Sequence, residues 1–190
     1  MARPCIPAMT LWLVRHAQPL IDNGICYGQL DMQADAQATQ DAAAALSRIL
    51  PGNILAASSP LQRCRQLADA LTNARPDLAF TSDSRLQEMH FGNWENRAWS
   101  SVPKSEMDDW TADFGNYNAG QNGESVSTFM IRVASAFDAM PRHTDVLWVT
   151  HAGVIRAAQL LTQGVREVNK ADQWPSDAPS YGQWCTLEIK

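Results

Sequence analysis

The stretch Leu11-Trp12-Leu13-Val14-Arg15-His16-Ala17 contains four consecutive apolar residues followed by two basic ones. A continuous apolar run of this length, without polar alternation, is typical of a strand covered on both faces. Residues 147–153, Leu-Trp-Val-Thr-His-Ala-Gly, have the same layout, with a histidine near the end of an apolar run. Both stretches therefore predict buried strands of an α/β sheet, each of which ends at a histidine.

Short apolar, β-rich runs alternate with stretches of helical periodicity along the rest of the chain. The predicted strands are residues 10–15, 53–58, 78–82, 145–150 and 183–189. The predicted helices are residues 33–50, 61–71, 125–140 and 152–161. This alternation predicts an α/β fold, a three-layer α/β/α sandwich with a mostly parallel central sheet.

Residues 91–123 differ from this pattern, because they hold Trp94, Trp99 and Trp110 and end in a polar, Gly- and Asn-rich tail. Long connections in compact α/β domains are often functional covers. We expect this segment to form a cap over the edge where the parallel strands end, and a small satellite core under a loop is a compatible alternative. Without repeats or linkers, residues 1–190 are predicted to form a single domain.

Composition excludes several classes of protein. The chain has 190 residues, of which 45% are hydrophobic and 18% charged, as is typical of a globular domain. A formal net charge of −5 argues against binding of nucleic-acid backbones. No apolar run is long enough for a membrane span, and residues 1–9 lack the apolar core of a secretory signal, so we expect a cytoplasmic protein.

The cysteines indicate neither a disulfide framework nor a metal site. Cys5, Cys26, Cys64 and Cys185 are scattered and form no C-x-x-C pair. We therefore expect reduced thiols, with Cys64 a buried and unreactive one, and no metal ligands.

Two further segments carry charged residues to the predicted ligand-binding edge of the sheet. Residues 58–63, Ser-Ser-Pro-Leu-Gln-Arg, end a strand and begin a helix, with Arg63 in its first turn. Glu88 and Glu95 lie among aromatic residues that are expected to exclude water from one of the two carboxyl groups. Because the planar fork of arginine suits phosphate, these residues and the two histidines indicate a site for a small anion.

These motifs, taken in order, resemble those of the histidine phosphatase superfamily, which includes phosphoglycerate mutases, α-ribazole phosphatases and related phosphomonoesterases. The resemblance covers residues 10–162. Within the superfamily, the stretch Cys26-Tyr27-Gly28 looks most like the α-ribazole phosphatase branch. The motifs are Arg15-His16, residues 59–63 (S-x-L-x-R), residues 88–95 (E-x-x-F-G-x-W-E), Gly123-Glu124-Ser125 and His151-Ala152-Gly153.

The resemblance implies a role for each matched residue. His16 would become phosphorylated, Arg15, Arg63 and His151 would bind the phosphoryl oxygens, and Glu88 would be the acid–base residue. Tyr27, Gly28 and Ala152 are expected to contact substrate. The expected activity is histidine acid-type hydrolysis of a small-molecule phosphate ester to inorganic phosphate, with no metal or other cofactor.

Three alternatives remain open at the level of sequence: a phosphoglycerate mutase-type transferase, a phosphohistidine protein phosphatase and a catalytically silent phosphate-binding module. The last is disfavoured because both His16 and Glu88 are present. Of the other charged residues, Glu124 is expected to contact the arginines or to lie at a helix start. Arg132 and Arg156, on predicted helices, are expected to form ion pairs.

Overall fold

A computed structural model describes residues 9–189 of the chain. The predictions made for Cys5 and for the absence of a secretory signal in residues 1–8 lie outside the described residues. The elements are β1 (Met9–Arg15), β2 (Ile25–Cys26), α1 (Ala36–Ser47), β3 (Leu55–Ser58), α2 (Gln62–Ala74), β4 (Phe80–Ser82), β5 (Arg97–Ala98), α3 (Lys104–Ala112), α4 (Val126–Asp138), β6 (Val146–Thr150), α5 (Ala152–Thr162) and β7 (Trp184–Ile189).

The main sheet has five strands in the order β4-β3-β6-β1-β7. Strands β4, β3, β6 and β1 are parallel, and β7 runs antiparallel to β1 at the edge. Because β6 lies between β3 and β1, the ends of these three strands are adjacent. All five predicted strands and the mostly parallel sheet are confirmed.

Helices cover both faces of this sheet. Leu13 and Trp148 belong to a core on one face that includes residues of α4 and α5, such as Ile155. Val14 and Val149 belong to a second core that includes residues of α1 and α2. Successive strand residues thus alternate between two buried faces, which explains the continuous apolar runs and confirms the three-layer α/β/α sandwich.

Helix starts follow local capping chemistry. The side chain of Asp35 accepts a hydrogen bond from the N–H of Ala38, so α1 begins at Ala36, three residues later than predicted. Ser125 caps α4 in the same way, by accepting from the N–H of Thr128. The four predicted helices are present, with shifts of a few residues at their ends.

The segment 91–123 contains structure that the sequence did not predict. It includes the helix α3 and the strand β5, which pairs antiparallel with β2 in a separate two-stranded sheet. Its aromatic residues pack on one another: Trp94 is fully buried, and its ring lies 5.3 Å from that of Trp110. This cluster continues the core beneath α4 and α5, so the alternative of a separate satellite core is wrong.

Across residues 9–189, every helix is too short or too polar to span a lipid bilayer.

Gly120 permits the turn that closes segment 91–123. Its φ is +56°, and a Cβ there would meet the backbone nitrogens of Asn93 and Trp94 at 2.6 and 2.8 Å. Gly164 also has a positive φ, +81°, but a Cβ there would meet nothing within 4 Å. A comparison of alanine substitutions at Gly120 and Gly164 therefore separates the effect of a steric clash from that of backbone strain.

We expect Gly120→Ala to lower the free energy of unfolding clearly more than Gly164→Ala, because only the first adds a clash to the strain. The strain alone costs about 1–2 kcal/mol. Urea unfolding followed by tryptophan fluorescence measures both variants. Equal losses in the two variants would contradict the packing described for this turn.

Candidate active site

The candidate residues come from the ends of adjacent parallel strands. His16 directly follows β1, and His151 directly follows β6. Arg63 lies in the first turn of α2, four residues after Ser59 at the end of β3. Since β6 lies between β1 and β3, the topology brings His16 and Arg63 to either side of His151.

His16 is buried, with 1% of its surface exposed, and its tautomer follows from its contacts. Nδ1 lies 2.7 Å from the carbonyl oxygen of Ala17, which can only accept, so Nδ1 carries the proton. Nε2 is then the unprotonated nitrogen, and its lone pair accepts a hydrogen bond from Nε of Arg63 at 3.3 Å. Burial, with the charges of Arg63 and Arg15, holds the pKa of His16 well below its usual range. The imidazole is therefore neutral at neutral pH.

Arg63 is fully buried, although it carries a charge. Besides His16, it donates to the carbonyl oxygens of Leu30 and Gly28, at 2.9 and 2.6 Å. Arg63 forms no ion pair within residues 9–189, because all the acceptors of its hydrogen bonds are neutral. A buried guanidinium without a counter-ion is complementary to an anion such as a phosphoryl group.

Arg15 brings a second guanidinium to His16. Its Nη1 donates to the carbonyl of Pro179 at 3.1 Å, and its Cζ lies 3.8 Å from the ring centroid of Tyr181. The ring of Tyr181 is in turn 5.5 Å from that of His16. The segment before β7 thus packs against Arg15 and His16 together.

His151 is fully buried beside His16, with the two ring centroids 5.1 Å apart. Its Nε2 lies 2.9 Å from Oγ of Ser59 and 3.5 Å from Sγ of Cys64. Burial lowers the pKa of His151 well below its usual range, and the charge of Arg63 lowers it further. Both histidines are therefore neutral before a ligand binds.

Glu88 is fixed by backbone donors. Its Oε2 accepts from the N–H of Gly153 and its Oε1 from the N–H of Met89, each at 3.0 Å. Any Cβ at Gly153 would overlap the carboxylate, so the close approach requires glycine there. The carboxyl group is thereby held two residues after His151, at the start of α5.

A cavity of about 380 Å³ opens beside Glu88. Aromatic side chains from segment 91–123, from α4 and from the segment before β7 line it. The lining residues include Glu88, Trp110, Phe129, Gly153, Arg156 and Trp174. Phe91 and Phe114 also line it, so the predicted cap segment borders the candidate site.

The three residues predicted to contact substrate lie around this site. Tyr27 donates or accepts a hydrogen bond with Tyr181, with 2.8 Å between the hydroxyl oxygens, and its ring centroid is 5.3 Å from Cζ of Arg63. The carbonyl of Gly28 holds Arg63 rather than pointing away to a ligand. Ala152 is buried and begins α5, directly after His151.

The remaining charged residues divide into one confirmed prediction and one wrong one. Arg132 forms a bidentate ion pair with Glu124, at 2.7 and 2.8 Å, which confirms the ion pair expected of Arg132. Glu124 lies directly before Ser125, the N-cap of α4, and its arginine partner is Arg132 rather than Arg15 or Arg63. The ion pair predicted for Arg156 is wrong: it pairs with no carboxylate of residues 9–189, and its Nη2 donates to the carbonyl of Ser176.

Glu95 accepts hydrogen bonds from the backbone N–H groups of Gln29 and Phe91, so it holds these two loops together.

Cys64 agrees with the expectation of an unreactive thiol. It is fully buried, and burial raises its pKa to about 12, against the opposing charge of Arg63. The thiolate is therefore absent at neutral pH.

Tyr181 and the cavity residues Arg156 and Trp174 were missed from the sequence. A strand antiparallel to β1 begins where β1 ends, so the residues before β7 had to reach the site once that direction was known. The N–H of Gly182 indeed donates to the carbonyls of Arg15 and His16, at 3.2 and 3.0 Å. The alternation of apolar residues in β7 does not show whether the strand runs parallel or antiparallel to β1. The sequence therefore could not predict that the residues before β7 reach the site.

Comparison with known proteins agrees with this geometry. The family model for the histidine phosphatase superfamily (branch 1) matches residues 11–187. The adenosylcobalamin/alpha-ribazole phosphatase of Salmonella typhimurium is 30% identical over 177 residues, which cover 81% of this chain and 80% of that protein.

Solved structures show the same fold. A mycobacterial glucosyl-3-phosphoglycerate phosphatase is 25% identical, with a TM-score of 0.74 over 95% of this chain and 90% of its own. A candidate alpha-ribazole-5′-P phosphatase from Escherichia coli has a TM-score of 0.78 over 96% of this chain and 91% of its own, at 24% identity. The second likeness concerns the fold alone.

The two buried neutral histidines predict how stability depends on pH. Unfolding returns each to its ordinary pKa of about 6.5, so the unfolded chain binds two extra protons below that pH. Stability is therefore full above about pH 6.5 and falls as the pH decreases below it. The slope is about 1.4 kcal/mol per pH unit for each histidine.

We expect His16→Gln to remove about half of this slope between pH 6.5 and 5.5, in phosphate-free urea unfolding. His143→Gln, at an exposed position, is the matched control and should keep the wild-type slope. An unchanged slope in His16→Gln would show that His16 is not a buried neutral imidazole.

Proposed function

The chain belongs to the histidine phosphatase superfamily, branch 1, and from this premise we propose that it hydrolyses small-molecule phosphate monoesters through a phosphohistidine at His16. The observation that supports the proposal most directly is the state of the His16 ring. Its Nδ1 is engaged by the carbonyl of Ala17, and its neutral Nε2 is turned toward the buried charge of Arg63. The proton is thus kept on Nδ1, and an unprotonated imidazole nitrogen is a competent nucleophile toward phosphorus.

In the first step, the N–H of Arg63 that donates to His16 Nε2 turns to a phosphoryl oxygen, and the lone pair of Nε2 attacks phosphorus as the bond from phosphorus to the ester oxygen breaks. Arg63, Arg15 and His151 stabilise the charge on the equatorial oxygens. The departing alkoxide takes a proton from the carboxyl group of Glu88.

In the second step, water attacks the phosphoryl group as the bond from phosphorus to Nε2 breaks. The carboxylate of Glu88 accepts the proton of that water, which restores the carboxyl group. The neutral imidazole and inorganic phosphate are regenerated. Glu88 is suited to both steps because Gly153 and Met89 fix both of its oxygens.

We propose that this chemistry needs no metal ion. The two guanidiniums supply positive charge at the phosphoryl position, which is the main requirement of phosphoryl transfer. The proposal is tested by exhaustive treatment with EDTA, which should leave turnover unchanged. Loss of activity that added Mg²⁺ or Zn²⁺ restores would refute it.

The leaving alcohol is proposed to occupy the cavity beside Glu88. Its aromatic walls suit a planar or apolar body. The relative and the structural neighbour named above suggest two test substrates, α-ribazole phosphate and glucosyl-3-phosphoglycerate. Release of inorganic phosphate distinguishes hydrolysis from a mutase, which returns the phosphoryl group to a substrate.

We expect His16→Ala to reduce phosphatase activity by at least 1,000-fold, on the order of what removal of a covalent nucleophile costs. Acid-labile, base-stable phosphate should appear on wild-type protein quenched during turnover of labelled p-nitrophenyl phosphate. His143→Ala is the matched control and should keep both activity and label. Near wild-type turnover by His16→Ala would refute the phosphohistidine mechanism.

Glu88→Gln should lower kcat/KM about 100-fold for an alkyl phosphate and far less for p-nitrophenyl phosphate. The reason is that an alkoxide needs a proton to leave, whereas p-nitrophenolate does not. Glu95→Gln is the comparison, because Glu95 contacts only loop backbone. Equal losses on both esters for Glu88→Gln would exclude it as the general acid.

A further inference from the structure

Arg156 is the one cationic side chain among the residues that line the cavity beside Glu88. It lies on α5 three positions after Gly153, so both residues share one face of the helix and border the same cavity. The carboxyl group of Glu88 is held at Gly153. The cavity therefore has Glu88 at one point and a guanidinium one helical turn further along α5.

The guanidinium of Arg156 is incompletely paired. Nη2 donates to the carbonyl of Ser176, which is neutral, and Nε is buried without an acceptor among residues 9–189. The indole Nε1 of Trp110, which lines the same cavity, is likewise buried without an acceptor in the described chain. Buried donors left without partners cost free energy, and such costs concentrate at functional sites.

Among residues 9–189, the partly buried arginines outside the candidate site pair with carboxylates, as Arg75, Arg85 and Arg132 do. Four further arginines have no carboxylate partner in this part of the chain, but all four are exposed to solvent: Arg48, Arg65, Arg97 and Arg142. Arg63 and Arg15, which lie at the candidate phosphoryl position, donate to neutral carbonyls instead. Arg156 resembles this second pair in its neutral partner and its lack of a carboxylate.

We propose that Arg156 binds an anionic group, a carboxylate in the first instance, on the leaving alcohol of the substrate. The ester oxygen would lie at Glu88, the body of the alcohol between Trp110 and Trp174, and the carboxylate at Arg156. The enzyme would thus prefer phosphate esters whose alcohol carries an acid group. This inference rests on the proposed phosphatase activity and names a substrate class for it.

The test uses benzyl phosphates, since their aromatic ring suits the cavity and their alkoxide requires Glu88. The probes carry carboxylate, carboxamide or methyl at the 3- or 4-position, and kcat/KM is measured for each. We expect wild-type protein to prefer a carboxylate ester over its methyl analogue by about 10- to 100-fold, as a charge-assisted hydrogen bond provides. The carboxamide should lie close to the methyl compound.

Arg156→Met should abolish this preference, and Arg156→Lys should retain part of it because it keeps the charge without the planar fork. The readout is the ratio of carboxylate to methyl ester within each variant, so a general loss of activity does not affect it. Arg166→Met, which breaks an exposed ion pair with Asp138, is the matched control and should keep the wild-type ratio.

Hydrolysis of all three esters by wild-type protein with no preference for carboxylate would overturn the proposal while leaving the phosphatase assignment in place. A preference that persists in Arg156→Met, or one for the carboxamide, would also overturn it. If wild-type protein hydrolyses none of the esters and no p-nitrophenyl phosphate, the phosphatase assignment itself fails, and this inference fails with it.

Discussion

The buried guanidinium of Arg63 is the feature on which the rest of the site depends. Its hydrogen bonds are satisfied by Gly28, Leu30 and Nε2 of His16, but all of these acceptors are neutral. The hydrogen bonds fix the loop at residues 28–30, while the uncompensated charge adds to burial in lowering the pKa of both histidines. The positive charge that an anion would meet is therefore already in place before any anion binds.

The proposed acid–base residue, Glu88, is positioned by backbone N–H groups instead. One of them belongs to Gly153, where a Cβ would overlap the carboxylate as it is placed. This ties the carboxyl group to the same helix start that carries His151. The aromatic cluster of segment 91–123 is continuous with the main core, so the wall beside Glu88 is part of the folded domain and not an appended loop.

The fold and the clustering of the candidate site residues were largely predictable from the sequence, because their signals are local. Continuous apolar runs reveal strands buried on both faces, and residues at the ends of parallel strands meet at one edge, as His16, Arg63 and His151 do. The direction of β7, the helix α3 and the position of Arg156 at the cavity were not predictable. Each depends on which distant segment packs against it, and helical spacing alone suggested for Arg156 an ion pair that no carboxylate of residues 9–189 forms.

The pairing of β1 has a consequence for how the protein is made. Leu11 of β1 pairs with Val146 on one side and with Leu187 on the other. At about 5–20 residues per second, a ribosome needs on the order of ten seconds to produce the first of these partners after β1. During this interval the apolar strand has two open edges, each able to template association with another nascent chain. The topology that unites His16 with its partners therefore leaves the apolar strand β1 without its neighbours in the sheet until most of the chain has been synthesised.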